Sequence, residues 1–497
     1  MIPASCLSTG LQDQKAPVRL DAMLRLAGQC LDTGQLDEAE CLLDHVLSAA
    51  PHAASALNLK AVLLYLTNRS ETAVELMERA VGLAPDAALF RRNLCPIYER
   101  VGRYGDALRV GRQALDVDQN DLQTLHNLAL VHYRRLELDD SIACARRALT
   151  IDPSAPGLHL QLAEALLLKG DLAQGWEEYE WRYRVPGAAL PLPWNDRPQW
   201  DGAPLGGKTL MLIADQGFGD SVQFCRYIPW ARERCPDVVV AADPILQPLI
   251  RQVAPGVTTV SRWDECPPFS VYCPLSGLPR LHGTTLQTIP GRAAYLRADP
   301  ERTAAWHARL DALIPPGARR VGVVWAGRAT HNNDANRSTT LTELGPIADL
   351  EGIALVSLQK GQGQAAIAGY FGRAPLLNAG AMIADFCDTM AAIETLDLVL
   401  TVDTVVAHLA GAMRKPVWIM LPYAPDWRWL LDRDDSPWYP TARLFRQPRA
   451  GDWRSVVRRV ADSLLQLNDS ARRTAGLRRG GQRCLVACRR RSVAAAQ

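Results

Sequence analysis

Hydrophobic and polar positions follow two different rhythms along this chain. From Lys208 onward, short apolar runs alternate with helix-like stretches, whereas the region before it repeats itself every 34 residues. In the later region the apolar runs predict strands over Leu210–Ala214, Val238–Ala242 and Val271–Leu275. After Arg319 the alternation restarts with RRVGVVWAG, ALVSLQKG, LDLVLTVD and KPVWIMLP, separated by helical stretches such as Thr389–Leu396 and Thr404–Met413. Alternation of this kind builds parallel sheets covered by helices on both faces. Two such blocks in tandem predict two doubly wound α/β domains, over 208–300 and 319–465, facing each other across a cleft. Ligands of such sheets bind at the carboxyl ends of the strands.

In the earlier region Ala39, Ala73 and Ala107 lie 34 residues apart, and Ser141 and Gly175 continue the series. Pro51 and Pro85 share the period, Pro153 falls two periods further on, and Gln119 takes the place between. Ala80, Ala114 and Ala148 form another register. Small residues let paired helices approach closely and proline ends the second helix, so the period predicts stacked helix-turn-helix units. It resembles the tetratricopeptide repeat over 20–187, an α-helical solenoid of five units. The last unit, GDLAQGWEEYEWRYR, is aromatic-rich, as suits a capping unit packed on a following domain. A groove for a peptide or partner protein and a plain structural scaffold both remain open for such an array. His126 and His132, six residues apart, lack metal-ligand spacing and read as packing or surface residues.

Residues 188–207 form a Pro- and Gly-rich linker that Trp194 and Trp200 would pin. An N-terminal segment, 1–19, precedes the array, and its MIPASCLSTG start shows no secretory signal pattern. A basic tail, 466–497, reads as disordered; from residue 471 it holds eight arginines and no acid. Its Cys484 and Cys488 lack companions for zinc. The 497 residues exceed one core, and a net charge of +2 gives no argument for nucleic acid. No apolar run reaches 18 residues, so no transmembrane segment is expected. Twelve scattered cysteines without a CxxC pair fit a reducing, cytoplasmic compartment.

Candidate chemistry lies in two turns. The first is DQGFGD, where a strand gives way to a helix expected from Ser221 onward. Gly217 and Gly219 let backbone approach a ligand, and Asp220 is placed either to act on it or to cap the helix. The second is LVLTVDTVVAHLAGA, where Asp403 and Thr404 follow a strand and His408 lies one helical turn beyond Thr404. A helix start with a hydroxyl and a histidine suits a diphosphate. Gln359 ends a strand and is placed to contact a nucleotide or only a neighbouring loop. Asp432-Arg433-Asp434 mimics a metal-binding DxD but reads as a solvated loop, and Trp427, Trp429, Trp438 and Tyr439 read as packing.

Taken together, DQGFGD, VVWAG, NRSTTL, SLQKG and DTVVAHLAGA resemble the GT-B glycosyltransferases of the heptosyltransferase-like family (glycosyltransferase family 9). Residues 200–455, with PQWDGAPLGGK, APDWRWLLDRDDSPWYP and LFRQPRAGDW, resemble the bacterial branch of that family fused to tetratricopeptide repeats. The resemblance implies a GT-B fold and inverting sugar transfer from a nucleotide-diphosphate donor, with no metal and no cofactor beyond that co-substrate. Asp220 matches the family's catalytic base. Asp403, Thr404 and His408 match its donor-binding turn, and Arg337 falls near its phosphate-binding lysine. Val405 stands where the family carries a small residue. The acceptor, a protein or a glycan or lipid-linked hydroxyl, is not named by the sequence. Two rivals stand beside this reading: a non-catalytic repeat scaffold with a retained transferase fold, and a nucleotide-sugar sensor.

Overall fold

The computed structural model describes residues 16–185, 192–193, 197–291, 293–331 and 333–468. The N-terminal segment up to residue 15, Trp194 of the linker, and the tail beyond residue 468 with Cys484 and Cys488 lie outside the described residues. The chain divides into two compact units, Met1–Ala165 and Leu166–Gln497.

The first unit is a run of antiparallel helices: α1 (Ala16–Asp32), α2 (Leu36–Ala49), α3 (Ala54–Leu66), α4 (Ser70–Leu83), α5 (Ala88–Arg100), α6 (Tyr104–Val117), α7 (Leu122–Arg134) and α8 (Leu138–Ile151). α9 (Pro156–Lys169) begins in it and crosses the boundary. Ala39, Ala73, Ala107 and Ser141 are wholly buried, as the small-residue register requires. The Ser141 hydroxyl donates to the Ala129 carbonyl at 2.7 Å, which makes a polar atom tolerable at that position. Pro51, Pro85 and Pro153 each stand two residues past the end of a helix, after α2, α4 and α8.

A further register emerges in the turns. Gly34, Asn68, Gly102, Leu136 and Gly170, again 34 residues apart, all have positive φ, between 59° and 93°. The turn inside every unit therefore needs a left-handed residue, and glycine or asparagine supplies it at least cost. Leu136 is the exception, a leucine at φ 62°. His132 is buried and its Nδ1 lies 2.7 Å from Glu137. With Asp140 these two lie close enough to share an ion. Yet Glu137 already accepts from Arg135 at 2.7 Å, and Arg109 and Arg112 line the same hollow, so the group is poorly suited to a cation.

The second unit opens with α10 (Leu172–Tyr179) and a 3-10 turn, Glu180–Arg184. The aromatic tail of the repeat region is thus part of this unit. Trp176, 2% exposed, donates to the Thr284 carbonyl at 3.2 Å and meets Trp427 edge-on at 5.2 Å. Trp200 is buried, and its backbone N–H donates to the Tyr272 carbonyl at 2.7 Å, so the linker's end is fastened to a sheet edge.

Two parallel sheets follow. The first contains β1 (Leu210–Ile213), β2 (Val238–Ala241), β3 (Thr258–Val260) and β4 (Val271–Pro274) in the order β3-β2-β1-β4. Its helices are α11 (Phe218–Phe224), α12 (Ile228–Arg234), α13 (Gln247–Val253) and α14 (Leu278–His282). After α15 (Pro300–Leu313) comes the second sheet: β5 (Arg319–Val324), β6 (Ile353–Ser357), β7 (Leu376–Asn378), β8 (Leu398–Val402), β9 (Val417–Leu421) and β10 (Ala442–Arg446). Its order is β10-β9-β8-β5-β6-β7, with α16 (Asp334–Arg337), α17 (Gly345–Ala348), α18 (Phe386–Glu394) and α19 (Val405–Ala412) in the connections. A last helix over residues 453–468 buries Trp453, Val457, Val460 and Leu464 in the core of the second sheet.

The strand order reverses beside β1 in the first sheet and beside β5 in the second. In an open parallel sheet, connections on either side of such a reversal diverge and leave a crevice at the strands' carboxyl ends. The short strands β3 and β7 went unread in the sequence because three residues carry no period, and exposed Thr258 and half-buried Leu376 look like loop.

Candidate functional site

The two reversal points supply the two turns singled out above. The carboxyl end of β1 leads through Asp215 and Gln216 into α11, and that of β8 leads through Asp403 and Thr404 into α19. α11 and α19 pack directly on one another, and glycine makes this contact fit. A Cβ on Gly219 would lie 2.9 Å from the His408 ring. Gly219 is therefore a packing glycine between two helices, not a backbone opening towards a ligand. Gly217 occupies the N-cap position of α11, which begins at Phe218 and not at Ser221.

That shift moves Asp220. It is the third residue of α11, inside the first turn, and does not hold the N-cap position. Its carboxylate is ion-paired with Arg428, and the side chain remains about 21% exposed. Burial raises its pKa, Arg428 opposes that shift, and Asp426 and Asp215 reinforce it. Arg428 is held on three sides. Besides Asp220 it donates through Nε to Gln223 Oε1 at 2.5 Å and through Nη1 to Asp426 Oδ1 at 2.7 Å. Its guanidinium lies 4.5 Å over the Trp427 ring. One arginine from the turn after β9 thus clasps α11 of the other sheet.

Asp403 is mostly buried, with one carboxylate oxygen 4.0 Å from His408 Nε2. Burial pushes its pKa up to about 6, Asp426 adds to the shift, and Arg428 and Arg337 work against it. His408 is 4% exposed, and its Nδ1 lies 2.8 Å from the Tyr439 hydroxyl. Burial, with Arg428 and Arg226 near, holds its pKa well below the ordinary histidine range. A neutral, enclosed imidazole is no cation for a diphosphate. The expectation that His408 suits a diphosphate is corrected: it wedges α19 against α11 and lies beside Asp403. Thr404 holds the N-cap position of α19 but does not close it. Its hydroxyl pairs with that of Thr401 at 3.0 Å, and no side chain caps the helix start.

Arg337 ends α16, with Nε 3.3 Å from Asp334. A Cβ on Gly327 would come within 2.5 Å of its Nη2, so the guanidinium rests on the backbone just past β5. The connection after β5 therefore returns a cation to the second reversal point. Gln359 does not join the site. Its Oε1 accepts from Trp325 N and Ala326 N at 3.1 and 3.0 Å, and Nε2 donates to the Ala326 and Lys360 carbonyls at 3.0 and 2.9 Å. With all four hydrogen-bonding positions used, Gln359 staples β5 to β6 and is not a nucleotide contact. Asp432 and Asp434 are exposed, as a solvated loop requires, while Trp427, Trp429, Trp438 and Tyr439 are buried.

The structure thus brings Asp220, Asp403, His408 and Arg337 to one crevice and adds Arg428 and Asp426, which sequence reasoning missed. Both lie in APDWRWLLDRDDSPWYP, where the tryptophans drew attention away from the charges. The available signal was an arginine between two tryptophans, a setting in which guanidinium stacking permits burial. Asp215 was also passed over. It is a structural acid, accepting from Ser276 N at 3.0 Å and from the Tyr183 hydroxyl at 2.6 Å.

Among the described residues no helix is long and apolar enough to cross a membrane. The nine described cysteines are free.

The family model and the solved structures match the first region, and one relative matches most of the chain. The tetratricopeptide-repeat family model matches residues 12–88, 94–156 and 126–180. Protein FlbA of Caulobacter vibrioides (strain ATCC 19089 / CIP 103742 / CB 15) is 28% identical over 454 residues, covering 84% of this chain and 74% of FlbA. Among solved structures, a thermophilic tetratricopeptide-repeat protein of Thermus thermophilus is 23% identical with a TM-score of 0.31, covering 34% of this chain and 92% of its own. MamA of Desulfovibrio magneticus RS-1 is 17% identical with a TM-score of 0.30, covering 34% and 97%. The N-terminal region is a helical tetratricopeptide-repeat array, and two parallel, helix-covered sheets follow it.

Proposed function

We propose that the α/β unit is a GT-B glycosyltransferase that moves a sugar, with inversion, from a nucleotide-diphosphate donor to an acceptor hydroxyl. The observation that carries the reading is the meeting of two reversal points: Asp220 after β1 and the Asp403–Thr404 turn after β8, with Arg428 and Arg337 beside them. The uncapped start of α19 and two guanidinium groups suit the charge of a leaving diphosphate. Asp220 takes the proton of the acceptor hydroxyl as its oxygen attacks the anomeric carbon. The developing oxocarbenium charge is stabilised by the same carboxylate-rich crevice. In keeping with the resemblance, charge neutralisation is assigned to side chains and helix N–H groups and requires no metal.

The repeats suggest protein binding, and we assign them the recruitment of the acceptor or of a partner protein in their groove. The test is a thermal-shift screen of nucleotide sugars and nucleoside diphosphates on the full chain, followed by assays of donor hydrolysis and transfer. Stabilisation by a nucleotide sugar with slow release of the nucleoside diphosphate supports the reading. Stabilisation without turnover leaves a sensor, and no response from any nucleotide leaves the scaffold.

A further inference from the structure

Arg428 is the most heavily committed side chain of the crevice, and its commitment conflicts with the work assigned to its partner. A base must offer a basic lone pair to an incoming hydroxyl, yet the guanidinium holds Asp220 Oδ1 and lowers the carboxylate's proton affinity. Arg428 comes from the second sheet's side and Asp220 from the first, so the pair also fastens the two halves together. Beside it, one buried donor has no partner: Gln223 Nε2, whose other amide atom accepts from Arg428. Buried donors are rarely left unfilled in a finished protein. This one lies on the amide that holds Arg428, where something further bound would fill it.

We propose that Arg428 is a two-position cation, closed on Asp220 in the ligand-free protein and drawn to the donor's diphosphate when that binds. The inference rests on the glycosyltransferase reading and adds an order to it: donor first, acceptor second. A diphosphate carries more negative charge than one carboxylate, and bound at the Asp403–Thr404 turn, where Arg428 and Arg337 both act on Asp403, it competes with Asp220 for the guanidinium. Release frees the Asp220 oxygen for the acceptor. In the transfer step the acceptor O–H proton passes to Asp220, and the acceptor oxygen forms its bond to the anomeric carbon. The carbon–oxygen bond to the diphosphate breaks with its electron pair, and the charge left on that oxygen faces Arg428. Without donor, Asp220 stays ion-paired to Arg428 and is the weaker base for it.

The test is calorimetric titration of the full chain with uridine, guanosine, cytidine and adenosine diphosphates. The wild type is compared with Asp220→Asn, Arg428→Lys and Arg428→Met, with folding midpoints measured alongside. Because Asn releases the guanidinium, the diphosphate that binds the wild type should bind Asp220→Asn about five- to tenfold more tightly, the scale of an ordinary coupling. Arg428→Met should bind it at least about tenfold more weakly, the loss of one charge-assisted contact. Arg428→Lys should fall between, which keeps the test usable if the methionine variant misfolds. Unchanged or weaker binding by Asp220→Asn, with Arg428 still required, overturns the two-position model and leaves Arg428 a fixed donor contact. Equal affinity in all variants makes Arg428 structural and also overturns it. Failure of all four diphosphates on the wild type falls instead on the glycosyltransferase reading.

Discussion

The repeat array and the α/β unit encode their structures at different distances along the chain. In the array every instruction recurs 34 residues later, and each position answers to a neighbour one or two helices away. In the α/β unit the decisive contact, Arg428 with Asp220, spans 208 residues. It joins a turn after β9 to a helix after β1, and neither segment announces the other. A perturbation of the array should therefore be local and small. One in the crevice should couple two sheets and, on the proposed reading, change chemistry more than stability.

The sharpest test of that contrast is Asp220→Asn. Transfer should fall about 10²–10⁴-fold, the usual contribution of a positioned base. The fold should survive, since Arg428 keeps Asp426 and Gln223, Gly217 and not Asp220 holds the N-cap position, and asparagine retains an acceptor oxygen. Turnover and folding midpoint are measured on one preparation. Retained turnover would remove Asp220 from the mechanism.

Asp403 offers a test by pH. Its pKa of about 6 lies above the ordinary aspartate value near 3.9, because burial disfavours the charged form. Between about pH 4 and pH 6 the folded protein therefore binds more protons than the unfolded chain, and this group's contribution to stability falls as pH rises. Above pH 6 the whole penalty stands. Asp403→Asn should then be more stable than the wild type by about 1–3 kcal/mol at pH 7, with little gain at pH 4. Denaturant titrations at several pH values read the difference. A gain of equal size at every pH would mean that charge burial is not its cause.

Gly219→Ala tests the seam between the sheets. The added methyl meets the His408 ring at 2.9 Å, and that ring is backed by Tyr439 and Trp429. With little room to yield, overpacking should cost about 1–3 kcal/mol. It should also disturb Asp403, 4.0 Å from the same imidazole. A neutral effect on both stability and nucleotide binding would mean that α11 and α19 slide freely.

How much could be read beforehand follows the same division. Leu210–Ile213 and Leu398–Val402 were legible because both faces of a central parallel strand are buried, which writes a continuous apolar run. Ala39, Ala73 and Ala107 were legible because close helix packing excludes larger side chains. Asp220 and Asp403 were legible as acids in the segments that follow β1 and β8, but their protonation was not, since it depends on burial and on Arg428 and Asp426 arriving from elsewhere. Gln359 misled because a strand-end amide looks the same in sequence whether it faces a ligand or the next strand's backbone. His408 misled because helical spacing places it near Thr404 without revealing Gly219 against its ring.

The smallest expected effects lie in the array, in the turn register that the small-residue pattern did not disclose. Gly102 has φ 76° with open space where a Cβ would sit, so Gly102→Ala adds backbone strain and nothing else. It should cost about 1–2 kcal/mol, the penalty of a left-handed L-residue. Leu136 holds the equivalent place at φ 62° and already bears that strain. Leu136→Gly relieves it, but the unfolded chain gains freedom worth about 0.5–1 kcal/mol and a half-buried side chain is lost. The net change should therefore stay within about 1 kcal/mol of zero, clearly less costly than Gly102→Ala. Amide exchange in α6 and α8 compares the two turns locally. If Leu136→Gly were instead the more damaging substitution by several kcal/mol, the leucine's contacts would outweigh its backbone. Turns that share a register would then not share a cause, and the equivalence of the repeats would fail at the residue where it is most strained.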